Sequence, residues 1–130
     1  LVLTEDHSDK DIITYKSNGS NGLGKFKTVV LINGGSASAA EILAGALKDN
    51  GIAQLIGEKS FGKGSVQELI AFGPNKDMAI KVTIAKWITP GGKNLNKDGL
   101  EPDIKVELTA DDITNKRDPQ LDKALEEVTK

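Results

Sequence analysis

Residues 27–67, KTVVLINGGSASAAEILAGALKDNGIAQLIGEKSFGKGSVQ, decide the fold. Lys27–Asn33 is a short, nearly continuous apolar run closed by Gly34-Gly35. That is the pattern of a strand covered on both faces, and so of a parallel sheet flanked by helices. Ala37–Asn50 then sets Ala39, Leu43, Ala46 and Leu47 at helical spacing, with Ala40 and Ile42 widening the stripe. Ala and Leu are strong helix formers, and Asn50-Gly51 is a fitting stop. Ile52–Gly57 is a second apolar run, ended by a second Gly-rich turn. Strand, helix, strand in this order predicts a right-handed βαβ unit.

That unit brings two distant turns to one edge. A helix of about 12 residues descends roughly 18 Å at 1.5 Å per residue. A six-residue return strand climbs about 20 Å at 3.3 Å per residue. The turn carrying Ser36 and Ser38 and the turn carrying Lys63 therefore both lie at the carboxyl ends of the strands, where open α/β sheets place their sites. A serine hydroxyl needs a base before it becomes a useful nucleophile, and a lysine serves when its amine is neutral. An unperturbed lysine titrates near about 10.4, and burial lowers that. Phe61-Gly62-Lys63-Gly64 offers an apolar neighbour and no carboxylate within two residues. Gln67, four positions on, falls on the same face and supplies a neutral hydrogen-bond partner. Ser38 in the first helical turn would place the Ala39 backbone N–H as an oxyanion donor.

Each residue also has a plainer reading. Ser38-Ala39-Ala40-Glu41 is a capping box, in which Ser38 only caps the helix and Glu41 returns the bond. Lys63 would be a solvated loop lysine, Gln67 a surface strand residue, and Ser36 either a turn residue or the nucleophile instead of Ser38. Gly57–Gly64 also nearly matches the phosphate-binding G-x-x-x-x-G-K-[ST] loop. Gly64 stands where the magnesium-binding Ser or Thr belongs, however, and the next segment is β-branched where that loop requires a helix.

Ile12–Tyr15 is β-prone and 17–24 (SNGSNGLG) is a loop. His7, among charged neighbours, is assigned solvent and no role. Val66–Phe72 and Met78–Ile88 predict a hairpin, with Ile80, Val82, Ile84 and Lys86 on one face of the second strand. Lys93–Asp103 reads as a polar loop, Ile104–Leu108 as a brief edge strand, and Lys93–Arg117 as polar enough to be mobile in places. Asp118-Pro119 opens a closing helix with Leu121, Ala124, Leu125 and Val128 as its apolar stripe.

The 130 residues carry a net charge of −2, which leaves no footprint for nucleic acid. No apolar run approaches the roughly 20 residues that span a bilayer. The absence of cysteine excludes a disulfide frame and a thiol nucleophile. Because Leu1 rather than Met opens the sequence, the expectation is that residues 1–130 form one piece of a longer chain.

Gly35-Ser36-Ala37-Ser38-Ala39-Ala40-Glu41-Ile42, then Ala44-Gly45-Ala46-Leu47, Phe61-Gly62-Lys63-Gly64-Ser65-Val66-Gln67 and Gly99-Leu100-Glu101-Pro102-Asp103 resemble the carboxyl-terminal processing (tail-specific) peptidases. The resemblance implies a serine–lysine endopeptidase that cleaves proteins near their C-termini through an acyl-enzyme. Ser38 matches the nucleophile, Lys63 the general base and Gln67 the residue that orients it. It implies an α/β core similar to the ClpP/crotonase fold, no metal or organic cofactor, and C-terminal protein or peptide segments as partners. It also implies action outside the cytoplasm, in periplasm, cell envelope or thylakoid lumen; any membrane association would run through other parts of the protein. The family's PDZ domain and its upstream Asn-Pro-Gly-Gly oxyanion turn are not among these residues, so this piece alone is expected to be inactive. The rival from another class is a non-catalytic domain of the same fold that binds extended peptide at a sheet edge.

Overall fold

The computed structural model describes residues 1–7, 11–20, 22 and 24–130. The predicted βαβ unit is present. Strand β3 (Thr28–Ile32), helix α1 (Ala39–Asp49) and strand β4 (Ala53–Gly57) follow one another, and β3 and β4 pair in parallel with Val30 opposite Leu55. The brief strand β7 (Ile104–Lys105) joins β4, also in parallel, giving the order β3-β4-β7. The second sheet is antiparallel, in the order β2-β1-β6-β5. It comprises β1 (Leu3–Asp6), β2 (Ile12–Tyr15), β5 (Ser65–Phe72) and β6 (Met78–Ile88), with β5 and β6 as the predicted hairpin.

Local signals do not mark β1. Its LTED sequence is half charged, and it forms a strand because β2 and β6 flank it, with Thr4 opposite both Thr14 and Ile88. Its Glu5 is buried, receives the Tyr15 hydroxyl at 2.8 Å and lies 3.1 Å from His7 Nε2. His7 is thus half-buried against a carboxylate rather than free in solvent. Its neighbours Ser8, Asp9 and Lys10 lie outside the described residues, as do Asn21 and Leu23 of the 17–24 loop.

Both long helices are rotated from their predicted faces. Helix α1 buries Glu41, Ala44, Gly45 and Ala46 and leaves Leu43 60% exposed. The small residues let the helix settle closely: a methyl group on Gly45 would come within 3.1 Å of Thr89 Cγ2. Helix α3 (Pro119–Thr129) starts where expected, with Asp118 Oδ1 accepting from Leu121 N–H at 2.9 Å. It buries Gln120 and Ala124, however, and exposes Leu121 and Leu125. Gln120 Nε2 donates to the Val106 carbonyl at 2.8 Å, fixing that face inward. A short helix α2 (Ala110–Thr114) is nucleated by Thr109, whose hydroxyl accepts from Asp112 N–H.

Along β6, Val82 and Ile84 are half-buried as predicted, but then Ala85 is buried and Lys86 exposed. The ladder shifts register between Val66 and Gln67, so Val66 faces Ala85 while Gln67 faces Thr83. That irregularity reverses the alternation. The predicted polar loop 93–103 is also different in kind. Leu95 and Leu100 are buried in the core with Ile32, Ala44 and Leu55, against which Val30, Ile42 and Trp87 pack.

Candidate active site

The two Gly-rich turns meet. The Phe61 N–H donates to the Ser36 carbonyl at 2.9 Å, and the Glu58 N–H to the Ile32 carbonyl at 2.9 Å. The second turn runs straight into strand β5, not a helix, so Gly57–Gly64 is not a phosphate-binding loop.

Ser38 sits one residue before α1 with φ 58° and ψ −119°. A non-glycine residue in this region is strained by about 1–3 kcal/mol, and such strain collects at functional sites. Helix capping ordinarily uses extended backbone. Here only the carboxylate half of the capping box reaches full geometry, with Glu41 Oε2 accepting from Ser38 N–H at 3.0 Å. The Ser38 hydroxyl is near the Glu41 N–H without making a cap hydrogen bond. Ala39 is the first helical residue, where a backbone N–H has no partner within its own helix.

Glu41 does far more than the capping box suggests. It is fully buried, and its carboxylate reaches across to the second turn. Oε1 accepts from Gly62 N–H at 2.7 Å and from the Ser60 hydroxyl at 2.5 Å, while Oε2 accepts from Lys63 N–H at 2.9 Å. Ser60 Oγ in turn accepts from Leu100 N–H at 2.6 Å, tying the 95–100 segment to the same carboxylate.

The second turn is also seated on that segment. The Lys97 N–H donates to the Gly62 carbonyl and the Trp87 N–H to the Gly64 carbonyl, each at 2.8 Å. A methyl group on Gly64 would lie 2.3 Å from Asn96 N and 2.6 Å from Leu95 C, and one on Gly99 would lie 2.5 Å from the Ser60 carbonyl. These glycines are there because two backbones touch.

The remaining predicted residues are placed less completely. Lys63 lies in the turn just ahead of β5 and is exposed, and Phe61 beside it is 65% exposed. The apolar cover expected around the lysine is therefore not supplied by Phe61. Gln67 lies in β5 and is exposed, opposite Thr83. Since Lys63 precedes the strand, simple alternation does not put the two side chains on one face. Ser36 faces inward on its own turn, its hydroxyl accepting from Asn33 N–H at 3.1 Å, the role of a turn residue. Asp103, from the Gly99–Asp103 motif, is structural. It accepts from Leu55 N–H at 2.8 Å and pairs with Lys48 at 2.8 Å. Burial pushes its carboxyl up, but the Leu55 N–H and the Lys48 ammonium outweigh that and hold it below the ordinary aspartate range.

The chain thus has a mixed α/β core in which a strained serine and a lysine lie on two turns held together by one carboxylate. The photosystem II D1 C-terminal processing protease superposes with a TM-score of 0.70 and 35% identity, over 82% of this chain and 27% of that one. Residues 1–106 match the model for Peptidase family S41, and the chain belongs to that family. Among its relatives, the carboxy-terminal-processing protease of Bartonella bacilliformis is 43% identical over 107 residues, 82% of this chain and 24% of that protein. The chloroplastic C-terminal processing peptidase of Tetradesmus obliquus is 36% identical over 107 residues, 82% of this chain and 22% of that protein. The chain thus spans about a quarter of the length of the curated relatives it matches.

Proposed function

We propose that this chain supplies the nucleophile and general base of a serine endopeptidase that trims proteins near their C-termini. The observation that carries this reading is the clasp between the two turns. Ser38 and Lys63 lie apart in sequence, yet one carboxylate oxygen binds the backbone N–H of both. In the mechanism, neutral Lys63 takes the proton from Ser38 Oγ as the oxygen attacks the scissile carbonyl carbon. The Ala39 N–H receives the developing oxyanion. Collapse breaks the C–N bond, Lys63 returns its proton to the leaving amine, and water then hydrolyses the acyl-enzyme. Gln67 orients the lysine amine. The core is of the ClpP/crotonase kind, and the protein acts outside the cytoplasm on polypeptide C-terminal segments.

In a protein of the relatives' full length that contains this chain, Ser38→Ala and Lys63→Ala each abolish cleavage of an unstructured polypeptide, by about 10³-fold or more. Ser36→Ala retains most of it. Full activity in Lys63→Ala would end the dyad. The 130-residue chain by itself is expected to hydrolyse the same polypeptide at a negligible rate; a rate that vanished in Ser38→Ala would contradict this.

One observation favours the rival reading of a peptide-binding domain. Strand β5 is an edge of its sheet, and Leu69 on it is 69% exposed. Such an edge accepts an extended peptide by strand addition. Failure of a serine-reactive fluorophosphonate to label Ser38 in the full-length protein would favour that domain over the peptidase.

A further inference from the structure

We propose that Glu41 is a positioning residue for the Ser38–Lys63 pair, and this inference rests on the serine–lysine reading above. A glutamate that merely finished the helix N-terminus would need one bond, to Ser38 N–H. Glu41 makes that bond and three more, all to the opposite turn: Ser60 Oγ, Gly62 N–H and Lys63 N–H. The sharing is specific. Oε2 alone receives the N–H of the proposed nucleophile and the N–H of the proposed base. The two backbone nitrogens therefore cannot separate by more than two hydrogen bonds laid end to end. Oε1 pins the residues just ahead of the lysine, and through Ser60 it reaches Leu100.

A carboxylate is the group that fits. It only accepts, and its two oxygens offer about four lone-pair sites for four donors. Glutamine has nearly the same shape but only one accepting oxygen. In one orientation its NH₂ faces Gly62 N–H; in the other it faces Ser38 and Lys63 N–H. Either way a buried backbone donor meets a donor and one strand of the clasp opens. Aspartate keeps the charge but is one methylene too short to hold both turns. Glu41 itself does not touch substrate in this scheme. It sets the reach of the Lys63 amine to Ser38 Oγ, and a displacement of about 1 Å in such a pair lowers a rate about 100-fold.

The test compares Glu41→Gln with Asp103→Asn in the full-length protein. Asp103→Asn loses the ion pair with Lys48, away from the two turns, and serves as the purely structural control. Thermal midpoint, kcat and KM on an unstructured polypeptide, and the rate at which a fluorophosphonate modifies Ser38 are measured for both. Glu41→Gln is expected to lower kcat and the labelling rate together, about 100-fold, with KM within about threefold of wild type. Asp103→Asn is expected to lose thermal stability while both rates stay within about threefold. Should Glu41→Gln fail to fold, Ser60→Ala removes one donor from the same carboxylate and is expected to lower both rates about fivefold or more. Unchanged rates in whichever of these two variants folds, or an equal fall in Asp103→Asn, would overturn the role of Glu41. Cleavage that survives Ser38→Ala overturns the dyad and this inference with it, and that outcome is distinct from the others.

Discussion

The seam between residues 60–64 and 95–100 and the hairpin that lies between those two segments in the chain are opposite in construction. In the seam, backbone lies on backbone: Gly62, Gly64 and Gly99 admit no methyl group, and Ser60, Glu41, Leu95 and Leu100 are all buried. In the hairpin, Ile70, Phe72, Met78 and Ile80 form a cross-strand apolar patch, each side chain between 45% and 54% exposed. One region completes its contacts within this chain; the other leaves apolar surface of the kind that marks a contact site. The turn that carries Lys63 sits in the region that accepts nothing, and substitution should be nearly free on the exposed apolar face of the hairpin.

Gly64→Ala attacks the seam directly and should have the largest effect on stability. The added carbon would overlap Asn96 N and Leu95 C, both backbone atoms that no rotamer change can move. Overpacking of this kind costs about 1–3 kcal/mol, and the upper end is expected because the Lys97-to-Gly62 and Trp87-to-Gly64 bonds would lengthen with it. Urea unfolding measures the loss. A change below about 0.5 kcal/mol would show that the seam yields more easily than its contacts imply.

How much of this was legible follows from the range over which each signal acts. The β3–α1–β4 unit, the hairpin and the start of α3 announce themselves locally, in apolar runs, turn residues and the Asp118-Pro119 pair. So do the two turns that carry Ser38 and Lys63. Glu41 was legible only as a cap, because its other partners lie 19 to 22 positions away. The strained backbone of Ser38 has no residue-type signal at all, since a serine stands where glycine would be expected. Helical periodicity misled for α1 and α3 for one reason: a carboxylate and an amide with distant hydrogen-bond partners took buried places that hydrophobicity assigns to leucine. Leu95 and Leu100 looked like loop residues because the glycines that receive them lie in another segment.

Asp103→Asn gives an intermediate effect, at the edge of the same core. The variant keeps an acceptor for Leu55 N–H but loses the charge that pairs with Lys48. With the partly exposed pair discounted for solvent, the cost at pH 7 is about 1–2 kcal/mol. Its pH dependence has a definite sign. The folded carboxyl is held below its unfolded value of about 3.9. Its stabilisation is therefore complete above that pH and disappears as pH falls through the lower folded value. Urea midpoints of wild type and variant should converge below about pH 4; a gap that stayed constant down to pH 2 would assign the effect to packing rather than charge.

The double substitution Ile70→Thr and Ile80→Thr probes the other side of the comparison and should do least. The two residues face each other across β5 and β6 with 45% and 54% of their surface exposed. Threonine is β-branched, so it keeps the strand preference while removing apolar surface from water. Exposed changes of this kind stay within about 0.5 kcal/mol. The unfolding midpoint, read by urea denaturation, should therefore remain near that of wild type. A destabilisation above about 1.5 kcal/mol would mean that the hairpin already packs against the rest of the chain, and the contrast with the seam would disappear. If the midpoint holds, the hairpin's apolar face contributes nothing to holding Ser38 and Lys63 together, and the clasp through Glu41 has to do so without it.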